Sequence, residues 1–223
     1  MEIMKDLWQV GGSDLTAPED ASIYLIRYEH EAALIDAGCG NAHDRLVVNI
    51  SSVLPKSVQI TYLFLTHCHY DHVGGAAAIM DRYGCNIVAH TLDAVYLETA
   101  NNEVTAASWY GAKIAPLNID HKIKGRRESF KIGPGEMLSY HCPGHSPGSV
   151  VYLSEFGKVR VLFGQDVHGP LDPSLLSNSD EYIRSLKFLL SLDADILCEG
   201  HFGVFKGKKK VEKFIRSYIT SYY

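Results

Sequence analysis

The most informative stretch of this sequence is Thr66-His-Cys-His-Tyr-Asp-His-Val-Gly-Gly75, which directly follows a short apolar run. It holds four potential metal ligands within six residues, namely His67, His69, Asp71 and His72. In an extended chain, residues two apart point to the same side, so His67 and His69 can bind one ion together. Asp71 and His72 follow where we expect the loop to turn into a helix, and they can reach a second ion. Because imidazole nitrogens and carboxylate oxygens suit zinc, the stretch predicts a metal site.

Two ions need about four ligands each, which is more than this one loop supplies. Three later positions qualify as the remainder, because each follows a predicted strand and lies beside glycine. They are His145 in Cys142-Pro-Gly-His-Ser-Pro-Gly148, Asp166 in Gly164-Gln-Asp166, and His201 in Glu199-Gly-His201. With them, the sequence offers seven candidate ligands.

Hydrophobic periodicity predicts strands in two groups, with helices after and between them. The predicted strands are Asp6–Val10, Ile23–Tyr28, Ala32–Asp36, Ile60–Leu65, Asn86–Ala89, Glu136–His141, Val150–Leu153, Val159–Phe163 and Ile196–Cys198. The predicted helices are Ala42–Leu54, Ala76–Tyr83, Leu92–Ala100, Glu181–Leu192 and Lys210–Tyr218. No element is predicted between Asn101 and Gly125. This order favours two packed β-layers with helices outside, and the length of 223 residues fits one domain over 1–223.

Composition narrows the class of protein. The net charge of −5 argues against a nucleic-acid partner, which would favour a basic surface. We expect no signal peptide, since no basic region followed by an apolar run opens the chain, and no membrane span, since no apolar stretch approaches about 20 residues. The five cysteines are scattered without a CxxC pair, which indicates reduced thiols in the cytosol and a cytoplasmic protein. We expect those nearest the ligands to be packed rather than reactive: Cys68, Cys142 and Cys198.

Four motifs resemble those of the metallo-β-lactamase superfamily, in order and spacing along nearly the whole chain. The match is closest to the glyoxalase II-like hydrolases of that superfamily. The motifs are His67-x-His69-x-Asp71-His72, Pro143-Gly-His145-Ser-Pro-Gly148, Gly164-x-Asp166 and Gly200-His201. The resemblance implies an α/β fold, an αββα four-layer sandwich, with metal ions at one edge of the two sheets.

Carried over position by position, the resemblance also implies a ligand set. One metal is bound by His67, His69 and His145. The other is bound by Asp71, His72 and His201. Asp166 bridges the two, and Asp36 in Leu34-Ile-Asp-Ala-Gly38 lies behind the ligands.

This ligand set implies two divalent metal ions, with zinc expected before iron or manganese. Two such ions can share a water molecule and lower its pKa from near 16 to about 7, so that a bridging hydroxide attacks a small thioester, ester or lactone. In the family pattern, Asp71 orients the hydroxide and moves its proton. The expected partner is therefore a small-molecule substrate, and the sequence does not indicate an oligomeric state.

His168 lies two residues after Asp166. In an extended strand end its side chain points to the same side as that of Asp166, where it can contact substrate or protonate a leaving group. If the chain turns after Asp166, as Gly169-Pro170 allows, the ring faces solvent instead. We predict a catalytic role for His168.

Particular residues bear on other activities of the superfamily. True β-lactamases of the superfamily generally lack the bridging aspartate that Asp166 supplies here. Glyoxalase II enzymes bind glutathione through a C-terminal helical extension, whereas 22 residues, 202–223, follow His201. A persulfide dioxygenase with a single iron is the leading alternative, and it would use His67, His145 and Asp166. A non-enzymatic metal-binding protein is the other alternative.

Overall fold

The computed structural model describes residues 1–164 and 166–221, and it contains two β-sheets. The first sheet has seven strands in chain order: β1 (Glu2–Met4), β2 (Leu7–Gly11), β3 (Ile23–Tyr28), β4 (Glu31–Ile35), β5 (Gln59–Phe64), β6 (Asn86–His90) and β7 (His121–Ile123). Strands β1 to β4 are antiparallel, and β4 to β7 are parallel.

The second sheet has six strands in the order β13-β12-β11-β10-β9-β8. They are β8 (Arg127–Ile132), β9 (Gly135–His141), β10 (Val150–Phe156), β11 (Val159–Phe163), β12 (Ile196–Cys198) and β13 (Val204–Lys206). Only the pair β11 and β12 is parallel among these described neighbours. As a result, β9, β11 and β12 run in the same direction and end at the same edge.

Helices cover the outer face of each sheet. The helices are α1 (His43–Val53), α2 (Tyr70–Val73), α3 (Ala76–Tyr83), α4 (Thr91–Glu98), α5 (Ser179–Ser191) and α6 (Lys208–Ser221), with 3-10 turns at Ala107–Tyr110 and Pro173–Leu175. Helix α5 begins where its sequence provides an N-cap. The Asn178 side chain accepts a hydrogen bond from the backbone N–H of Glu181, which caps the first turn. Its buried face, which includes Tyr182 and Leu186, packs on the second sheet.

Three apolar clusters hold the layers together. One joins the facing sides of the two sheets through residues such as Tyr24, Phe64, Tyr152 and Phe163. A second lies between the first sheet and α1, α3 and α4, and a third lies between the second sheet and α5 and α6. Two sheets face to face with helices on both outer sides make the predicted αββα sandwich.

The structure differs from the predicted elements at several short strands. Strands β1, β7, β8 and β13 were not predicted, and residues 101–125 contain the 3-10 turn Ala107–Tyr110 and β7. The prediction of no element in that segment is therefore wrong. In strand β8 exposed and buried residues alternate, but only Phe130 and Ile132 are buried. Two buried positions are too few for the alternation to be recognised from the sequence.

All five cysteines are buried thiols, and Cys68, Cys142 and Cys198 pack within the three apolar clusters as expected. Among the described residues, no helix has the length and apolar character needed to cross a membrane.

Candidate metal centre

The ends of five strands converge on one edge of the sandwich. Strands β4 and β5 of the first sheet end beside β9, β11 and β12 of the second, and backbone hydrogen bonds join the two sheets there. The backbone N–H of Val150 donates to the Thr66 carbonyl at 2.7 Å, and that of Ser22 donates to the Gly200 carbonyl at 2.7 Å. Each predicted ligand lies in the segment that follows one of these strands, with Asp71 and His72 in the short helix α2 after β5, so the fold brings separate segments together.

The structure brings all seven predicted ligands into two adjoining groups. Potential ligand atoms of the first group lie within 4.8 Å of one another, and so do those of the second. The Asp166 carboxylate lies between them. Its Oδ1 is 3.1 Å from Nε2 of His72, and its Oδ2 is 3.4 Å from Nε2 of His145. The first group is His67, His69 and His145, and the second is Asp71, His72, Asp166 and His201.

Three of the predicted ligand histidines form a hydrogen bond through Nδ1 to a protein oxygen. Nδ1 of His67 is 3.0 Å from Thr66 Oγ1, Nδ1 of His72 is 2.7 Å from Asp36 Oδ2, and Nδ1 of His145 is 3.0 Å from the Pro170 carbonyl. Such contacts fix the ring orientation and leave Nε2 for an ion. Asp36 therefore lies behind the ligands, as the resemblance implies.

Several buried polar atoms at the centre lack a hydrogen-bond partner among the described residues. They include Nε2 of His72, Nε2 of His145 and Oδ1 of Asp166. His72 and Asp166 approach each other, but their geometry is not that of a hydrogen bond. Because buried polar atoms are nearly always satisfied, atoms of this kind within the two ligand groups fit divalent cations with nitrogen and oxygen ligands.

Charges at the centre shift several pKa values. Burial would raise the pKa of Asp166, but the charge of His72 together with polar contacts from His145, His201 and His72 itself holds that pKa well below its usual value. Burial would lower the pKa of His72, but Asp166, Asp71 and Asp36 raise it well above its usual value. Burial also disfavours the charged form of His201, but hydrogen bonds to Asp166 and Asp71 raise its pKa to about 10. By contrast, burial followed by the neighbouring His145 lowers the pKa of His69 to about 3.

The chain matches the family model of the metallo-β-lactamase superfamily over residues 16–201. It belongs to this superfamily. The match runs from the loop before β3 to the last predicted ligand, His201, so it includes every residue of the centre.

Relatives within the superfamily are distant. The chain is 27% identical over 135 residues to the probable metallo-hydrolase YqgX of Bacillus subtilis, covering 60% of this chain and 61% of YqgX. It is 23% identical over 213 residues to YflN of the same organism, also named a probable metallo-hydrolase, covering 81% and 80%. It is 30% identical over 141 residues to the hydroxyacylglutathione hydrolase GloC of Haemophilus influenzae, covering 62% of each.

Solved structures of superfamily members have the same fold. A metallo-β-lactamase from Cronobacter sakazakii with a HARLDQ motif superposes with a TM-score of 0.83 at 17% identity, covering 100% of this chain and 92% of that one. The archaeal superfamily protein ST1585 from Sulfolobus tokodaii gives a TM-score of 0.70 at 23% identity, covering 95% and 85%. At these sequence identities the similarity shows a shared fold and nothing more specific.

His168 lies at the edge of this superfamily centre. Its Nδ1 is 2.9 Å from Oε1 of Glu199, and its ring packs between those of His201 and Phe202, at centroid distances of 5.2 and 4.9 Å. The side chain is 15% exposed, so the ring does not turn out into solvent. One of its ring nitrogens lies within 4.8 Å of an Asp166 oxygen.

Two buried carboxylates near the ligands were not identified from the sequence. Asp93 on α4 and Glu199 after β12 are both fully buried, and both bind atoms of ligand-bearing loops. An acidic residue on an amphipathic helix normally faces solvent, so nothing local distinguishes Asp93. Glu199 could have been noticed as an acidic residue between a buried strand and Gly200-His201.

The centre opens to solvent beside His201, which is the one exposed member of the seven; the other six are buried. Phe202, which is 58% exposed, lies at this opening. Tyr110 packs against Tyr70 at a ring distance of 5.5 Å, and burial together with the Asp71 carboxylate raises the pKa of its phenol. A cavity of about 350 Å³ adjoins His201 and Phe202, so a small molecule can approach the centre on the side of its exposed ligand.

Proposed function

We propose that this protein is a hydrolase that binds two divalent metal ions, zinc in the first place, and cleaves a small thioester, ester or lactone. The observation that carries the proposal is the position of Asp166, whose two carboxylate oxygens face histidines of different ligand groups at 3.1 and 3.4 Å. A carboxylate in this position suits a bridge between two ions.

The proposed ligand assignment follows the two groups. His67, His69 and His145 would bind one ion, and the other would be bound by Asp71, His72 and His201. The geometry supports this division, since Nε2 of His67 and Nδ1 of His69 lie 3.0 Å apart and Nε2 of His201 lies 3.0 Å from Oδ2 of Asp71. Neutral imidazole and ionised carboxylate are the forms that bind metal.

Two such ions, when bound, supply Lewis acidity that activates water and polarises the scissile carbonyl. The protein's own groups would do the rest. Asp71 is buried with its carboxylate toward His201, and it would hold the proton that the attacking water gives up. His168, fixed by Glu199 at the edge of the centre, would hydrogen-bond the substrate or protonate its leaving group.

The substrate class is supported by relatives. GloC of Haemophilus influenzae and a protein of Anaeromyxobacter dehalogenans, 30% and 28% identical, are named hydroxyacylglutathione hydrolases, which favours a thioester. The chain aligns with 62% and 42% of their lengths, so glutathione as part of the substrate is left to the experiment below. A small ester or lactone remains within the proposal.

The alternative of a single-iron persulfide dioxygenase would use His67, His145 and Asp166. It gives no ligand role to His72, whose buried Nε2 has no hydrogen-bond partner among the described residues. A non-enzymatic metal protein gives no role to the ordered His168 beside the opening. The two-ion hydrolase accounts for both.

A substrate panel tests this proposal. Zinc-loaded protein would be assayed with S-lactoylglutathione, a short acyl thioester, a simple aryl ester, a lactone and a β-lactam, with Asp71→Asn as the matched inactive control. We expect turnover of at least one thioester, ester or lactone that Asp71→Asn lacks. Turnover of the β-lactam alone, or equal rates for both proteins, would contradict the proposal.

A further inference from the structure

We propose that Asp93 and Glu199 are positioning residues, and that each holds a different half of the metal centre. Asp93 joins the loops that carry His67, His69 and His145, while Glu199 joins those that carry Asp166 and His201. This inference rests on the two-ion centre of the proposed function. It adds that a different buried carboxylate organises the histidine ligands that belong to each ion alone.

Asp93 connects the first two ligand loops directly. Its Oδ2 accepts a hydrogen bond from the backbone N–H of Cys68 at 2.9 Å and another from the Ser146 hydroxyl at 2.6 Å. Its Oδ1 accepts from the backbone N–H of Gly148 at 2.6 Å. Cys68 stands between His67 and His69 in the chain, and Ser146 follows His145. One carboxylate therefore fixes the loops that present all three ligands of one ion.

The close approach of Gly148 to Asp93 requires a glycine at position 148. A Cβ atom at Gly148 would lie 2.6 Å from Oδ1 of Asp93, a distance that no side chain tolerates, so only glycine permits the approach. Burial raises the pKa of the Asp93 carboxyl, while the hydrogen bonds from Ser146, Gly148 and Cys68 oppose that rise. A fully buried carboxyl group is costly unless it is hydrogen-bonded, and here both oxygens accept.

Glu199 makes the equivalent connection on the other side. Its Oε2 accepts hydrogen bonds from the backbone N–H groups of His201 and Phe202, each at 2.8 Å. Its Oε1 accepts from the ring Nδ1 of His168 at 2.9 Å and from the backbone N–H of the same residue at 3.3 Å. His168 is two residues from Asp166. Glu199 thereby fixes the two loops that supply the bridging carboxylate and the exposed histidine.

The two carboxylates share no hydrogen-bond partner among the contacts described above. Loss of either one should therefore loosen the loops on its own side. A purely electrostatic role predicts a different outcome, because removing a negative charge near two cations would weaken both ions. A larger loss of affinity for one ion than for the other thus distinguishes a positioning role from a purely electrostatic one.

The test uses Asp93→Asn and Glu199→Gln, which keep the side-chain size but turn one acceptor oxygen into an NH2 group. Cobalt(II) is titrated into each metal-free full-length protein and followed by visible absorption. His69→Ala and His201→Ala provide reference spectra for the ion that remains when one site is disabled. Substitution of groups behind metal ligands commonly costs about 10–100-fold in affinity.

We expect Asp93→Asn to weaken one cobalt ion by at least about tenfold and to give, at limiting cobalt, the spectrum of His69→Ala. Glu199→Gln should weaken the ion that His201 would bind more than the other ion, and it should give, at limiting cobalt, the spectrum of His201→Ala. Glu212→Gln, an exposed carboxylate on α6, is the matched control and should bind cobalt as the unaltered protein does. If Asp93→Asn does not fold by circular dichroism, Ser146→Ala removes one donor to Asp93 and should show the same selectivity.

Equal weakening of both ions in each variant, or no weakening in either, would overturn the inference. The number of cobalt ions bound by the unaltered protein separates failure of this inference from failure of the proposed function. If the unaltered protein binds only one cobalt ion, the two-ion hydrolase is wrong. The positioning roles would then require that only one of the two variants weakens that ion, and equal effects would overturn them as well.

Discussion

The carboxylate of Asp166 joins the two ligand groups of this protein: Oδ1 lies 3.1 Å from Nε2 of His72, and Oδ2 lies 3.4 Å from Nε2 of His145. The side chain is buried, and the neighbouring His72, His145 and His201 together keep its pKa well below the usual value despite burial. Asp166 is therefore ionised at neutral pH. The first prediction concerns this residue.

Replacing Asp166 with Ala should release both ions. Changes behind metal ligands alone cost about 10–100-fold in affinity, so loss of a shared ligand should cost more, and hydrolysis should fall by a comparable factor or more. Elemental analysis after dialysis and an assay on the best substrate of the panel would measure both effects. Asp180→Asn, an exposed carboxylate nearby in the chain, is the control. Full metal content with full activity in Asp166→Ala would show that Asp166 does not bridge.

Replacing His168 with Ala should leave the metal content unchanged and lower turnover by roughly 10²-fold, the usual scale for a lost acid–base group. The ring lies beside His201 without occupying a ligand position, and Glu199 would keep its hydrogen bonds to the backbone at 201 and 202. Steady-state kinetics would be compared with those of His121→Ala, an exposed histidine paired with Glu128. If turnover is the same in both variants, His168 has only a packing role.

Metal binding should release protons at pH 7. Carboxylates raise the pKa of His72 well above its usual value and that of His201 to about 10, so both rings carry a proton in the metal-free protein at neutral pH. Because only a neutral imidazole binds metal, affinity should rise with pH up to about 10. Calorimetric zinc titrations in two buffers of different ionisation enthalpy measure this exchange. Identical heats in both buffers would mean that these histidines are already neutral.

A methyl group at position 200 should disturb the centre. A Cβ on Gly200 would overlap Oδ1 of Asp166 and lie 3.1 Å from Cε1 of His72. Overpacking a tightly filled interior typically costs about 1–3 kcal/mol, so Gly200→Ala should lose that much free energy of unfolding and bind zinc more weakly. Gly125→Ala, where the nearest atom is 3.8 Å away, is the control. Denaturant unfolding would measure the difference, and equal stabilities would show that Asp166 can move aside.

The ligands could be predicted because their signal is local. His67, His69, Asp71 and His72 stand within six residues, and the later ligands each follow an apolar strand and a glycine. Long or strongly apolar elements such as β5 and α1 could be predicted for the same reason. The edge strand β7 could not, because it has three residues and only Ile123 is buried in it.

The contacts of the supporting carboxylates could not be predicted, even for Glu199 with its suggestive position, because their partners are distant in the sequence. Asp93 binds Cys68, which is 25 residues away, and Ser146, which is 53 residues away. Glu199 binds the ring of His168 across 31 residues. Such contacts exist only once the sheets have packed, and no local pattern marks an acidic residue that will become buried.

The metal content of the protein tests the two-ion centre most directly. The protein would be produced without added metal, and its metals would be measured by elemental analysis against an independent protein concentration. Seven ligands in two groups predict close to two ions per chain, chiefly zinc. A reproducible single iron per chain, with oxygen consumption on glutathione persulfide, would contradict the hydrolase and favour the dioxygenase.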